Sequence, residues 1–146
     1  MSAKLSTTTV ILDTNILIYS ASEPFDISHQ LKRVGFVNVK VPKGVVDELE
    51  RISLMRTGKE QRFAKLALEI AKKFDVLKEH APEATIDDQL VQIAKSKGYI
   101  VATSDSPLRR HLRKEGVSVI YIKDGRLIPE SDLITRMDST DLRLPA

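Results

Sequence analysis

The hydrophobic pattern along the chain alternates between short apolar runs and stretches with helical spacing. Val10-Ile11-Leu12 is a continuous apolar run that stops at Asp13, the form of a strand buried on both faces of a parallel sheet. Further segments with strand patterns lie at 37–41, 74–77, 99–102 and 117–122. The sequence therefore predicts a sheet of about five parallel strands.

Helical spacing fills the segments between these strands. Val45, Leu49 and Ile52 recur at i, i+4 and i+7, which predicts one amphipathic helix after a turn at Lys43-Gly44. Other helices are predicted around 16–19, 63–70, 86–94 and 106–112. Strands that alternate with helices predict an α/β fold, with a parallel sheet flanked by helices on both faces.

Length and composition narrow the classes of protein and of site. The 146 residues, 42% of them hydrophobic, fit one domain, which we place at 1–146 with a core at about 9–123 and a loose tail at about 134–146. The chain has no cysteine, which excludes disulfides, zinc ribbons and thiol nucleophiles. Its three histidines show no metal-ligand spacing, so any metal would be held mainly by carboxylates.

Neither a membrane span nor a signal peptide is predicted. No apolar run approaches the roughly 20 residues that span a bilayer, and residues 1–9 lack the apolar segment of a signal peptide. We therefore expect a cytoplasmic protein with no membrane partner. The net charge of +3 is too small to indicate nucleic-acid binding by itself.

Acidic residues stand where the predicted strands end and helices begin. Asp13 follows the first strand and Asp105 lies just beyond the fourth, while Glu48, Asp87 and Asp88 lie near helix starts. Ligands bind at the carboxyl ends of strands in open parallel sheets, so these acids can converge. Carboxylates crowded without basic partners are usually compensated by a divalent cation, and a site made only of carboxylates favours Mg²⁺ or Mn²⁺.

Structural roles compete with this interpretation. Acids in the first turn of a helix complement its dipole, and Asp13 can form a turn of its own. Thr103 and Ser104 either cap the following helix or orient Asp105, while Ser106 is predicted to cap that helix, with Pro107 at its first position.

Four segments together resemble the motifs of the PIN-domain ribonucleases, in the same order along the chain. They are Val10-Ile11-Leu12-Asp13-Thr14-Asn15-Ile16-Leu17, Val45-Val46-Asp47-Glu48-Leu49, Ile86-Asp87-Asp88-Gln89-Leu90 and Ile100-Val101-Ala102-Thr103-Ser104-Asp105. The resemblance spans roughly 9–122 and is nearest to the archaeal and eukaryotic PIN proteins of ribosomal RNA processing, and looser to the VapC toxins. It implies the three-layer PIN fold and hydrolysis of RNA with Mg²⁺ or Mn²⁺.

The resemblance also implies roles for individual residues. Catalytic roles fall to Asp13, Glu48, Asp87 and Asp105, and metal ligation to Asp13, Asp87, Asp88 and Asp105. Asn15, Thr103 and Ser104 would support these ligands through hydrogen bonds. Two positions stay open at this point, because Asp47 competes with Glu48 and Asp88 competes with Asp87.

The helix after Asp105 carries a basic cluster. Arg109, Arg110 and Arg113 are predicted to contact RNA phosphates, against the alternative of a solvated helix face. The resemblance leaves the protein partner open between a ribosome-assembly factor and an antitoxin, and leaves open a homodimer. The competing functions are a PIN-like module that binds RNA or protein without cutting, and a toxin-type ribonuclease.

Overall fold

The computed structural model describes residues 6–78 and 84–130, which form one mostly parallel sheet with helices packed around it. The strands are β1 (Ser6–Leu12), β2 (Phe36–Pro42), β3 (Asp75–Leu77), β4 (Ile100–Thr103), β5 (Val119–Lys123) and β6 (Arg126–Pro129). The helices are α1 (Thr14–Ser22), α2 (Ile27–Arg33), α3 (Lys43–Met55), α4 (Gly58–Ala71), α5 (Ile86–Lys97) and α6 (Ser106–Lys114).

The strand order is β3-β2-β1-β4-β5-β6, and the first five strands of the chain pair in parallel. This confirms the predicted α/β class. The sixth strand was not predicted, and it pairs antiparallel with β5. A two-residue turn joins them, in which Asp124 and Gly125 both have positive φ angles, of 52° and 72°.

The core lies between the sheet and the helices. Val10, Ile11 and Leu12 are fully buried, as expected for a central strand covered on both faces. Helices α1, α3 and α4 pack against one another, whereas α5 and α6 both contact β4. The two central strands, β1 and β4, therefore end in the middle of the molecule, with helices around them.

Several element boundaries differ from those that the sequence predicts. The predicted turn at Lys43-Gly44 is wrong, because both residues belong to the first turn of α3. The predicted tail at 134–146 lies outside the described residues. The assignment of 1–146 to one domain stays a prediction. No helix within 6–78 or 84–130 is both long and apolar enough to cross a membrane.

Candidate active site

Asp13 is the centre of the candidate site. It follows β1 directly and caps α1, where its Oδ1 accepts a hydrogen bond of 2.7 Å from the backbone N–H of Ile16. Its Oδ2 accepts a bond of 2.5 Å from the hydroxyl of Thr103 at the end of β4. The residue is 2% exposed. Both of these partners are uncharged, so a carboxylate is buried here with neutral donors only.

Asp105 has a matching arrangement one strand away. Its Oδ1 accepts from the backbone N–H of Leu108 at 3.0 Å and so caps α6, while its Oδ2 accepts from the side-chain amide of Asn15 at 2.8 Å. The prediction that Ser106 caps this helix is wrong: β4 extends through Thr103, so the cap falls on Asp105 and Ser106 is the first helical residue.

Thr103 connects the two aspartates. Its Oγ1 donates to Asp13 and accepts from the backbone N–H of Asp105 at 2.9 Å. Of the two roles open for Thr103, the structure shows contact with both acids and no capping of α6. Ser104, by contrast, is half-buried in the turn after β4. The parallel pairing of β1 with β4 explains this geometry, because Leu12 lies opposite Ala102 and the next residues of both strands are brought together.

Burial and neighbouring acids raise the pKa of Asp13 to about 7. Loss of hydration is the largest cause, and the charges of Asp105 and Asp87 add to it. The hydrogen bonds from Thr103 and from the backbone of Ile16 act in the opposite direction and only partly offset the burial. A group with this pKa changes its charge near neutral pH.

Asp87 is the member of the Asp87-Asp88 pair that faces the other acids. Its pKa is raised, first by burial and then by the charges of Asp105 and Glu48. His111 on α6 lowers the same pKa, and Asp88 contributes a smaller increase. Asp87 and Asp88 are both exposed, and the backbone N–H of Asp88 is bonded to the side chain of the α5 cap, Thr85, at 3.1 Å. The electrostatic contact of Asp87 with both Asp105 and Glu48 favours Asp87 over Asp88 as the member of the site.

Glu48 and Asp47, like Asp87 and Asp88, differ in their electrostatic contact with the other acids. Asp47 is tied back along α3 to Lys43 at 2.5 Å. Glu48 is 3.7 Å from Arg51, and its charge reaches Asp87. Glu48, with Asp13, Asp87 and Asp105, therefore forms the group that we call the acidic cluster. Four separate segments contribute one carboxylate each to it.

The predicted RNA-binding arginines occupy unlike environments. Arg109 donates to Glu130 at 2.6 Å through Nε, and its guanidinium carbon lies 3.6 Å from the centre of the Tyr121 ring. Arg113 is 4.0 Å from the same glutamate, whereas Arg110 is exposed on α6. Glu130, which is 4% exposed, is a residue that the sequence reasoning missed, since nothing in its spacing distinguishes it from a surface acid.

The donor set of the acidic cluster suits a hard divalent cation. No lysine or arginine within 6–78 and 84–130 forms an ion pair with Asp13, Asp87 or Asp105. In the same part of the chain, no three acidic or histidine side chains stand close enough to enclose an ion by themselves. Mg²⁺ keeps several of its waters and takes only one or two carboxylates, so these residues fit such an ion.

Comparison with known proteins agrees with this fold. Residues 10–125 match a family described as "PIN like domain". Ribonuclease VapC9 of Archaeoglobus fulgidus is 30% identical over 118 residues, which cover 81% of this chain and 85% of that protein. The rRNA-processing protein FCF1 homolog of Mus musculus is 31% identical over 123 residues, which cover 80% of this chain but 58% of that protein.

Solved structures agree as well. The PIN domain endonuclease Utp24 superposes with a TM-score of 0.70 at 26% identity, covering 84% of this chain and 90% of that one. A domain of a functionally unknown Methanocaldococcus jannaschii protein gives a TM-score of 0.61 at 19% identity, with 80% and 92% covered, which shows the fold alone. The family match extends over most of the chain, and relatives named as nucleases support nuclease function. The chain belongs to the PIN-like domain family.

Proposed function

We propose that the chain is a divalent-metal-dependent endoribonuclease that hydrolyses phosphodiester bonds of RNA at the acidic cluster. The observation that carries this proposal is the buried carboxylate of Asp13, whose pKa of about 7 reflects burial and the charges of Asp87 and Asp105. A carboxylate that is buried and then repelled by its neighbours destabilises the protein unless it binds a proton or a cation. The names of VapC9 and Utp24 support the same reaction class.

Each carboxylate then has a distinct task. Asp13, Asp87 and Asp105 would share the ion, with Asp88 as the alternative to Asp87, one or two of them binding it directly and the others through its waters. A Mg²⁺ or Mn²⁺ ion bound there would supply an acidified water and would neutralise charge on the scissile phosphate. Glu48 completes the ligand set or orients the attacking water, and the chain needs no nucleophile of its own.

Neutral side chains keep these carboxylates in place. Asn15 holds the free oxygen of Asp105, and Thr103 holds that of Asp13 while bonded to the backbone of Asp105. Ser104 is proposed to support the same turn. Such outer partners fix the direction of the ligand lone pairs, and their removal typically weakens metal binding by about 10- to 100-fold.

RNA is held by the basic face of α6. Arg110 and Arg113 are the principal candidates for phosphate contacts, because α6 is capped by Asp105 and so begins beside the acidic cluster. Arg109 is engaged with Glu130 and Tyr121, so we assign it first to holding α6 and only second to RNA.

We propose ribosomal RNA processing as the setting, in the cytoplasm and with a ribosome-assembly factor as partner. The name of the FCF1 homolog supports this choice, whereas the name of VapC9 favours a toxin held by an antitoxin. Expression of the wild type in bacteria distinguishes ribosomal RNA processing from a toxin role. Growth arrest that is abolished in Asp13→Asn would indicate the toxin. Sedimentation of the purified protein tests for a homodimer.

The direct experiment incubates pure protein with structured and single-stranded RNAs in Mg²⁺, Mn²⁺ or EDTA. Cleavage at internal positions that needs the metal and is lost in Asp105→Asn is the expected result. Asp26→Asn serves as the matched control, because Asp26 also caps a helix but lies in the loop before α2. RNA binding without cleavage in any metal would instead identify a module that binds and does not cut.

A further inference from the structure

Helices α3 and α5 come into close contact at a glycine. Gly44 is buried in the first turn of α3, and a Cβ added there would collide with the Oε1 atom of Gln89 on α5. The same Cβ would lie 3.1 Å from Cδ1 of Ile86. Glycine destabilises a helix interior relative to alanine. The close approach of α5 therefore accounts for Gly44, and the turn predicted at Lys43-Gly44 does not.

The Gln89 side chain is fixed between the two helices. It is 5% exposed, and its Nε2 donates to the carbonyl of Ala84 at 3.0 Å, just before α5 begins. Its Oε1 has no hydrogen-bond partner among the described residues, which is costly for a buried acceptor. The hydrogen bond to Ala84 does not account for the position of Oε1. The contact with Gly44 does account for it.

The start of α3, which lies beside this oxygen, has no side-chain cap. Pro42 precedes this helix and offers no side-chain cap, so the first backbone N–H groups lack a capping acceptor. The first turn of a helix carries partial positive charge, and the Gln89 oxygen lies beside Gly44 in this turn. The amide therefore fills the space between the two helices at Gly44.

This contact lies one helical turn from Glu48, which follows Gly44 by four residues and therefore lies on the same side of α3. Asp87 lies in the first turn of α5, two residues before Gln89. We propose that Gly44 and Gln89 are positioning residues, whose contact sets the distance between Glu48 and Asp87 and so prepares the site for its divalent ion. The proposal rests on the proposed function, because it concerns the same ion.

The test compares Gly44→Ala, Gln89→Ala and the double variant with the wild type, by calorimetric Mn²⁺ titration, RNA cleavage and thermal unfolding in EDTA. Gly44→Ala should weaken Mn²⁺ binding by about tenfold, in the range found when support for metal ligands is lost. Gln89→Ala removes the spacer and should weaken it several-fold. The double variant should recover most of the affinity, because the new methyl group occupies space that the amide leaves.

The outcomes separate this proposal from the proposed function. A wild type that binds Mn²⁺ and cleaves RNA, together with a Gly44→Ala protein of equal Mn²⁺ affinity, overturns the positioning proposal alone. A wild type that neither binds Mn²⁺ nor cleaves RNA overturns the proposed function and the positioning role with it. If Gly44→Ala does not fold, unchanged Mn²⁺ affinity in Gln89→Ala overturns the positioning role, and a several-fold loss supports it.

Discussion

Replacing Asp13 by asparagine should stabilise the metal-free protein at pH 8, although the residue caps a helix. Burial raises the pKa of Asp13 from its usual 3.8 to about 7, so the folded protein binds this proton more tightly than the unfolded chain does. The free energy of unfolding therefore falls as the pH rises from about 4 to about 7. At roughly 1.4 kcal/mol per pKa unit, the loss amounts to about 4 kcal/mol.

The Asp13→Asn variant avoids this loss and keeps part of the local structure. The side-chain oxygen of asparagine can still accept from the backbone N–H of Ile16, which bonds to Asp13 at 2.7 Å in the wild type. The bond donated by Thr103 is lost, at a cost of about 1 kcal/mol. The variant should therefore exceed the wild type by roughly 2 to 3 kcal/mol at pH 8, and should equal it or be slightly less stable at pH 4.

Urea unfolding followed by circular dichroism in EDTA, at pH 4, 6 and 8, measures the difference directly. Asp26→Asn is the control: Asp26 caps α2 in an exposed position, and asparagine caps equally well, so a change within about 0.5 kcal/mol is expected at every pH. A variant that is less stable than the wild type at pH 8, with the same dependence on pH, would refute the conclusion that burial and neighbouring charges destabilise the ionised form of Asp13.

Two further comparisons use neighbouring residues as each other's controls. Asp87→Asn should reduce Mn²⁺ affinity and RNA cleavage more than Asp88→Asn does, because the charges of Asp105 and Glu48 act on Asp87. Calorimetry measures the affinity and an RNA assay measures the cleavage. A larger loss in Asp88→Asn would reverse the assignment. Arg109→Ala should lower the melting temperature, because it removes the ion pair of a buried glutamate, Glu130. Arg110→Ala should leave the melting temperature unchanged and should reduce the salt dependence of RNA binding by a slope of about 0.7. An unchanged slope would place Arg110 on a solvated face.

Much of the fold was predictable because strand ends carry clear local signals. The run Val10-Ile11-Leu12 is wholly apolar and stops at an acid, and the structure buries all three residues in the central strand. The missed strand β6 also had a signal. Asp124-Gly125 separates two apolar segments, and this dipeptide favours a two-residue hairpin turn, in agreement with the positive φ angles found there.

Other features depend on contacts that no local pattern encodes. Glu130 is buried by its position between β5 and α6, and its partner Arg109 lies 21 residues earlier in the chain. The contact of Gly44 with Gln89 joins two helices and follows from their distance alone. Asp105 and Ser106 are both residue types that cap helices well, so the sequence alone could not decide between them. The structure decides it because β4 continues to Thr103 and the helix starts at Ser106, directly after Asp105.

Capping and acidity are compatible at Asp13 because a carboxylate has two oxygens. One of them, Oδ1, meets the backbone of α1, and the other meets Thr103 on the neighbouring strand. Asp105 divides its oxygens in the same way between α6 and Asn15. Each helix that starts directly after a central strand is thus capped by a member of the acidic cluster. The backbone hydrogen bonds that begin these helices also fix the carboxylates, so rigidity of the site follows from the fold itself.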